Sequence, residues 1–259
     1  MKTDYETLLV EVKEQVALVT LNAPKSTNPF SRKMTRELTL VSQDIQEELL
    51  KDEPKIKALV LTGGKGRSFS TGGDFYDITQ IQTAEEIRIY ISEILDLYIS
   101  LLKVNIPVVA AIDGYAIGQG FQVALLADWR IGTSSCQLQM PELKHGIACP
   151  VGSIILETLF GRGLMLSYII GCESIEIEHC LTHGILNEVC QDSVFIETAL
   201  SKADVFKNYP YLSFSTTKKI NNTRFIKAIE SVYEDSLNAH VIAFLNKTGT
   251  AHFSKILRG

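Results

Sequence analysis

The sequence has no excess of basic residues and no basic stripe. Lysine and arginine total 25 against 30 aspartate and glutamate residues, which gives a formal net charge of -5 at pH 7. Proteins that bind nucleic acid need clustered positive charge to neutralise phosphates, and here the lysines and arginines are scattered along the chain. The composition argues against a nucleic-acid partner.

Long apolar runs and a signal-peptide core are also lacking. No uninterrupted apolar run approaches the roughly 20 residues that cross a bilayer, and residues 1–12 alternate polar with apolar side chains. The five cysteines are odd in number and form no CxxC pair, so we expect reduced thiols with packing roles. We therefore expect a cytoplasmic protein without a membrane partner.

Three common nucleotide and metal motifs are incomplete. Residues 118–123 begin like a dinucleotide fingerprint but lack its third glycine, and residues 63–68 lack the Gly-Lys-Ser/Thr of a phosphate-binding loop. His179 and His183 lie four residues apart without an HExxH motif or a third ligand, and a surface helix accounts for them better. No nicotinamide, nucleoside triphosphate or metal site is indicated.

Strands and helices alternate through much of this 259-residue chain, whose 46% hydrophobic content suffices for one full core. Strands are predicted at 8–12, 15–21, 58–62 and 108–112, and helices at 30–50, with Ser31 as the N-cap, and at 84–102. The alternation predicts βαβ units with ligand sites at the carboxyl ends of the strands. From about residue 195 onward helical patterns dominate, and that tail is able to pack on a neighbouring subunit.

Two glycine turns follow predicted strands, at residues 69–75 and 116–120. Each turn opens a helix, whose first backbone N–H groups are free and whose dipole favours negative charge. One donor from each turn, at Gly73 and Gln119, would hold a single oxyanion such as a thioester enolate, and each such donor is worth about 10² to 10³ in rate. The alternative is that these glycines only permit tight turns.

Glu142 is the third candidate group. It follows a proline and precedes an apolar run punctuated by glycine. Burial there would raise its pKa toward the working range of a general acid or base. The competing interpretation is a surface glutamate after a turn proline, and without structural context this is the commoner case.

These three segments together resemble the crotonase (enoyl-CoA hydratase/isomerase) superfamily over nearly the whole chain. Residues 69–74 (FSTGGD) are similar to the first oxyanion and CoA-adenine loop of that family, residues 114–120 to its second, and Pro141-Glu142 to its catalytic glutamate position. The resemblance implies an α/β crotonase spiral of repeated ββα/βαβ units over residues 1–194 and a helical trimerisation region over 195–259. It also implies acyl-CoA substrates, a homotrimer or dimer of trimers, and no cofactor beyond the CoA of the substrate.

Gln122 departs from the hydratases of that family. They carry one glutamate at this position and another at the position of Glu142, and the two carboxylates hold the attacking water. An amide neither titrates nor takes a proton from water at neutral pH, so ordinary hydration of an enoyl thioester is expected to be disabled. Isomerases, decarboxylases, hydrolases and the carboxymethylproline synthases of carbapenem biosynthesis remain as candidates.

Finer similarity favours the carboxymethylproline synthases, through residues 28–32, 67–70, 113–118, 120–122 and 140–147. The resemblance implies that malonyl-CoA is decarboxylated to an enolate, which attacks the imine carbon of pyrroline-5-carboxylate, and that the new thioester is hydrolysed. Gly73 and Gln119 would hold the enolate oxygen. Glu142 would promote hydrolysis as base or nucleophile, and Gln122 would orient the malonyl carboxylate or a water.

The same resemblance implies the binding residues. The substrate- and CoA-binding candidates are Ser70, Thr71, Gly72, Gly73, Asp74, Phe75, Tyr90, Ile91, Gln119 and His240. His240 corresponds to a position that binds the pyrroline carboxylate, where a cation would suit an anion, and Tyr90 to an aromatic residue of the pocket, although packing is the alternative for both. The resemblance leads us to expect an apolar side chain at position 119. The polar side chain of Gln119 found there leaves the identity of the imine substrate undetermined.

Two other functions are open. An enoyl-CoA isomerase needs only one carboxylate to move a proton between the α and γ carbons. A crotonase-like trimer without chemistry would serve as a binding subunit, although the presence of Glu142 argues against it. Cys149 lacks a visible histidine–acid pair to activate it, so we expect a packing role.

Overall fold

A six-stranded sheet organises the protein, which the computed structural model describes over residues 4–245. Its strands, in spatial order, are β1 (Leu8–Lys13), β2 (Val16–Leu21), β3 (Ala58–Thr62), β4 (Val108–Ile112), β6 (Trp129–Thr133) and β8 (Glu188–Cys190). The first two form an antiparallel hairpin, and every later neighbouring pair is parallel. A second sheet pairs β5 (Tyr115–Ile117) with β7 (Gln137–Gln139) in parallel.

Helices connect and cover these strands. They are α1 (Arg32–Glu48), α2 (Phe75–Gln80), α3 (Ala84–Leu102), α4 (Gln119–Leu125), α5 (Pro150–Gly171), α6 (Ile177–Thr182), α7 (Phe195–Lys207), α8 (Tyr211–Ser231) and α9 (Tyr233–Leu245), with a 3₁₀ turn at Glu142–His145. Because α1 joins β2 to its parallel neighbour β3, and α3 joins β3 to β4, the predicted βαβ units are confirmed.

The predicted elements agree with the observed bounds to within two residues. Ser31 caps α1 as expected, because its hydroxyl accepts a hydrogen bond from the backbone N–H of Met34 at 3.1 Å. The sequence analysis does not predict the five-residue strand β6 or the strands β5, β7 and β8, which have only three residues each. A three-residue strand is too short to show an alternating pattern that sequence analysis can recognise.

Both faces of the inner strands β3 and β4 are buried, which explains why these two strands appear in the sequence as continuous apolar runs. Val60 and Val109 pack on α7 through Phe195, all in one apolar cluster. Leu59 and Leu61 point to the opposite face and belong to the larger cluster that includes α1 and α3. Helix α7, which begins at residue 195, thus packs against the central sheet as part of the core. The domain boundary expected between residues 194 and 195 is still a prediction.

Helix α5 is the one helix within residues 4–245 that is long and apolar enough to cross a membrane by length and composition. Its sequence is not one uninterrupted apolar run, because Glu157 and Arg162 divide the segment. Its backbone leaves helical geometry at Gly161, where φ is 81° and ψ is 163°. Two shorter helices therefore meet at this glycine.

Helix α9 lies against α3 and is fastened to it by Arg88. The guanidinium group of Arg88 donates to the Asn238 side chain at 2.7 Å and to the Glu234 carboxylate at 2.6 Å. This contact brings residues about 150 positions apart in the sequence onto the same side of the molecule. The last described helix thereby lies near the two glycine turns, and its residues Ser236, His240 and Phe244 line one cavity with them.

Candidate active site

A cavity of about 520 Å³ lies between the two glycine turns, the 3₁₀ turn and helices α3 and α9. The predicted site residues that line it are Thr71, Gly72, Gly73, Phe75, Tyr90, Ile91, Gln119, Gln122, Glu142 and His240. The structure therefore brings together most of the residues that the sequence analysis selected from five separate segments. Ser70 and Asp74 are not among the lining residues.

Those two residues shape the first turn instead. The Ser70 hydroxyl accepts a hydrogen bond from the Gly72 backbone N–H at 3.1 Å, and the Asp74 carboxylate caps α2 by accepting one from the Tyr76 N–H at 2.9 Å. Both contacts fix the backbone on either side of Gly73. Their proposed contact with CoA is still a prediction.

The two glycine turns are joined by backbone hydrogen bonds. The Ser70 N–H donates to the Tyr115 carbonyl at 2.7 Å, and the Ile117 N–H donates to the Ser70 carbonyl at 2.9 Å. Gly72 has φ of +88°, and a Cβ atom there would lie 2.8 Å from the Ile117 carbonyl oxygen. Only glycine fits this close approach, so the sequence of the first turn sets its distance from the second.

Two backbone donors face the cavity as a result. The Gln119 nitrogen is 3.5 Å from the position that a Cβ of Gly72 would occupy, which places it beside the Gly72-Gly73 peptide. Within residues 4–245, neither the Gly73 N–H nor the Gln119 N–H donates to another protein group. Two unpaired donors from adjacent turns form an arrangement that can hold one oxyanion.

Glu142 is directed into the cavity and is not the surface glutamate that sequence alone favoured. Its Oε1 atom is 3.3 Å from where a Cβ of Gly118 would lie, next to the donor of Gln119. Its Oε2 atom is buried without a hydrogen-bond partner in the described part of the chain. Burial raises the pKa of Glu142 from 4.5 to about 6, against the smaller opposing effect of its hydrogen bonds. This value suits a group that takes and returns protons near neutral pH.

Gln122 holds Glu142 in place. Its amide nitrogen donates to Glu142 Oε1 at 2.7 Å, and its amide oxygen accepts from the Tyr98 hydroxyl at 2.9 Å. Both ends of the amide are engaged, so in this structure Gln122 orients the Glu142 carboxylate, and its expected contact with a malonyl carboxylate or a water is still a prediction. Tyr98 was not selected from the sequence, although it lies eight residues after Tyr90 and therefore on a nearby face of α3.

Glu142 is the only carboxylate among the described residues that line the cavity. Lys144 also lines it, but its ammonium group is paired with the Glu173 carboxylate at 2.5 Å. No group of three or more His, Cys, Asp or Glu residues within positions 4–245 is arranged to hold a metal ion. Glu142 is therefore the single carboxyl group available for acid–base chemistry among these lining residues, which also include the imidazoles of His145 and His240.

His240 does not provide the cation that the sequence analysis placed there. Burial lowers its pKa from 6.5, so the imidazole is neutral at pH 7. Its Nδ1 atom lies 2.7 Å from the Ser236 carbonyl oxygen, and since a carbonyl only accepts, Nδ1 carries the proton. The remaining nitrogen, Nε2, is therefore a hydrogen-bond acceptor in the free protein.

Cys149 lines the same cavity as a buried free thiol. Burial and the nearby Glu142 carboxylate raise its pKa well above the usual range for a thiol. The thiolate that a nucleophilic mechanism needs is disfavoured, which agrees with the expected packing role.

The enoyl-CoA hydratase/isomerase family model matches residues 11–252. A carboxymethylproline synthase from Pectobacterium carotovorum subsp. carotovorum is 38% identical over 247 residues, covering 95% of this chain and 97% of that protein. A short-chain-enoyl-CoA hydratase from Clostridium acetobutylicum is 28% identical over 216 residues, or 83% and 80% of the two chains. The crystal structure of an enoyl-CoA hydratase/isomerase from Mycobacterium paratuberculosis covers 97% of this chain and 99% of its own, with a TM-score of 0.87 and 24% identity.

Proposed function

The chain belongs to the enoyl-CoA hydratase/isomerase family, and from this premise we propose that it is a carboxymethylproline synthase-like enzyme acting in carbapenem-type antibiotic biosynthesis. Its crotonase fold, predicted from the sequence, is confirmed by the family match and by the TM-score of 0.87. The proposed substrates are malonyl-CoA and pyrroline-5-carboxylate or a related cyclic imine. The 38% identity to a carboxymethylproline synthase supports this choice.

The proposed reaction has three steps. The bond between the malonyl carboxylate and the α-carbon breaks, CO₂ leaves, and the electron pair moves into an enolate whose oxygen accepts from the Gly73 and Gln119 N–H groups. The α-carbon then attacks the carbon of the protonated imine, the thioester carbonyl re-forms, and the C=N electron pair moves to nitrogen, which becomes a neutral amine. Finally the thioester is hydrolysed: either Glu142 takes a proton from the attacking water and returns it to the leaving CoA thiolate, or the Glu142 carboxylate displaces the CoA thiolate, which takes a proton from water, and the resulting acyl anhydride is then hydrolysed by water.

The observation that carries this proposal is the pairing of Glu142 with the amide of Gln122. Hydration of an enoyl thioester by the two-carboxylate route needs a second titrating group where Gln122 stands, and an amide does not titrate. Decarboxylation followed by hydrolysis needs one base near the enolate donors. The raised pKa of Glu142, about 6, leaves that base mostly ionised at pH 7 to 8.

An enoyl-CoA isomerase is the second candidate, because it also needs a single carboxylate. The wall of the cavity that α9 forms favours the synthase over the isomerase. His240 and Ser236 place polar atoms on the α9 wall beside Phe244, and a fatty acyl chain would leave these polar atoms without a hydrogen-bond partner. A polar electrophile such as an imino acid suits that wall better. A non-catalytic binding subunit would have no use for a carboxyl group held at a raised pKa.

We also propose a homotrimer or a dimer of trimers located in the cytoplasm. Large apolar side chains on the helical part of the chain support an assembly, since Ile170 is 68% exposed and Leu212 is 77% exposed in the single chain. Sedimentation equilibrium would give the mass of the particle. A monomer at micromolar concentration would contradict this part of the proposal.

The decisive test is mass spectrometry of the purified enzyme with malonyl-CoA, with and without pyrroline-5-carboxylate. A carboxymethylproline mass supports the synthase, acetyl-CoA alone indicates another electrophile, and unchanged malonyl-CoA favours the isomerase or the binding subunit. Glu142→Gln should accumulate the condensed thioester while its affinity for CoA esters is nearly unchanged, because hydrolysis alone needs the base. Glu230→Gln, an exposed position on α8, is the matched control and should retain full turnover.

A further inference from the structure

We propose that the side-chain carbonyl of Gln119 selects the substrate by accepting a hydrogen bond from an N–H or O–H group that lies beside the reacting thioester. This inference deepens the proposed function and rests on it for the identity of the reactants. It concerns the side chain of Gln119, whereas the oxyanion arrangement uses only its backbone N–H.

The orientation of the Gln119 amide follows from its contact with α1. The single hydroxyl proton of Thr35 is donated to the Ser31 carbonyl at 3.1 Å, so the Thr35 oxygen can only accept another hydrogen bond. The Gln119 amide nitrogen lies 3.4 Å from that oxygen and is therefore the end that faces α1. The amide oxygen, Oε1, points the other way, 3.6 Å from the position of a Cβ on Gly73.

This oxygen is buried and unpaired. Gln119 is 8% exposed, and its Oε1 atom has no hydrogen-bond partner within residues 4–245. Five buried side-chain polar atoms in that part of the chain lack a partner, and three of them belong to residues that line the cavity: Gln119, Glu142 and Ser236. Buried carbonyl groups are almost always paired in folded proteins, so a donor is expected to arrive with the ligand.

The space that such a donor would occupy lies at the reacting centre. A Cβ on Gly73 would be 3.0 Å from the Tyr90 hydroxyl and 3.6 Å from Gln119 Oε1, so the absent side chain leaves room between these two polar atoms. Burial raises the pKa of Tyr90 well above its usual value, so the phenol keeps its proton. A ligand group beside Gly73 thus meets one acceptor and one hydroxyl within a few ångströms of the enolate.

These partners favour a protonated imine over a carbonyl electrophile. An iminium N–H donates to Oε1 and keeps that proton when the C=N electron pair moves to nitrogen, so the hydrogen bond persists through carbon–carbon bond formation. An aldehyde or ketone oxygen in the same place could accept from the Tyr90 hydroxyl, but it would face Oε1 as a second acceptor and leave Oε1 without a donor. A hydroxyl group on the α-carbon of the acyl chain would satisfy Oε1 equally well.

Equilibrium binding separates these two sources of the donor without requiring turnover. The first ligand pair is proline and cyclopentanecarboxylate, measured with acetyl-CoA bound, which share a ring and a carboxylate and differ in the N–H group. The second pair is glycolyl-CoA and acetyl-CoA, which differ in one hydroxyl. Titration calorimetry is carried out on the natural protein, on Gln119→Met, and on Gln43→Met, an exposed position on α1.

We expect the natural protein to bind the donor-bearing member of one pair about tenfold tighter, which corresponds to about 1.4 kcal/mol. Gln119→Met should bring that ratio close to one, and Gln43→Met should leave it unchanged. The pair that responds identifies the donor as the ring nitrogen or the acyl hydroxyl. The comparison isolates Gln119, because Glu142 is common to all three proteins.

No preference in either pair with the natural protein would overturn the inference, and this result needs no variant to fold. A preference that Gln119→Met leaves intact would overturn it as well. Failure of the proposed function appears separately, as the absence of condensed product by mass spectrometry, while the calorimetric ratios still report on Gln119.

Discussion

Replacing Glu142 with glutamine is predicted to stabilise the folded protein at neutral pH. The carboxyl group has a pKa of about 6 in the folded state because burial penalises its charged form, against an ordinary value of 4.5. That difference corresponds to about 2 kcal/mol of unfolding free energy above pH 6. The Gln122 amide can still donate to a side-chain oxygen at position 142, so the replacement keeps the main hydrogen bond.

The pH dependence distinguishes this effect from a simple change in packing. Between pH 4.5 and 6 the folded protein binds more protons at Glu142 than the unfolded chain does, so the unfolding free energy falls as the pH rises through this window. A glutamine has no such dependence. The ionisation destabilises the natural protein and is absent from Glu142→Gln. This effect alone should therefore make the variant more stable than the natural protein by about 1 kcal/mol at pH 5 and by about 2 kcal/mol at pH 8.

Urea titrations between pH 5 and pH 8 measure this difference. The fluorescence of Trp129, the single tryptophan, reports unfolding, and a fixed protein concentration keeps any assembly term constant. Glu230→Gln is the control, and its stability difference should not change across the range. A Glu142→Gln difference that stays constant from pH 5 to pH 8 would refute the reasoning. The carboxyl group would then be solvated, and its assignment as a base would lose its physical support.

Two further substitutions test the contacts of Gln122. Gln122→Glu places a second carboxylate where an amide nitrogen now lies 2.7 Å from Glu142. We therefore expect measurable hydration of crotonyl-CoA, followed by the loss of its enoyl absorbance. If no hydration is detected, the missing carboxylate is not the sole obstacle to hydratase activity. Tyr98→Phe removes the donor to the Gln122 amide oxygen, so kcat for thioester hydrolysis should fall about tenfold with little change in KM. Tyr76→Phe, at an exposed tyrosine, is the control, and a change confined to KM would contradict a positioning role for Tyr98.

Local patterns in the sequence predicted the framework of this protein. The long strands and helices have apolar residues at the spacing of their secondary structure, and Ser31 has the chemistry of an N-cap. The glycine turns could be located because glycine is required where one turn approaches the other, as Gly72 approaches Ile117. Gln122 could be singled out because an amide and a carboxylate differ in proton chemistry wherever they lie.

The protonation states and hydrogen-bond partners of the site residues could not be predicted from the sequence, because they depend on groups that are far apart in the chain. The expected cation at His240 is neutral, since burial of this α9 side chain lowers its pKa more than the hydrogen bond to the Ser236 carbonyl raises it. Tyr98 acts on Gln122 across 24 positions, and nothing in the pattern of α3 distinguishes it from a packing residue.

The sequence by itself therefore determined the βαβ framework, the two glycine turns and the presence of one titratable carboxyl group among the candidate catalytic residues, since each is a property of residue type and spacing. Only the tertiary structure decided that Glu142 is desolvated, that Gln122 holds it, and that Gln119 presents an unpaired oxygen beside Gly73. The reason is physical: desolvation and hydrogen bonding depend on which atoms surround a group, and folding assembles those atoms from distant parts of the chain.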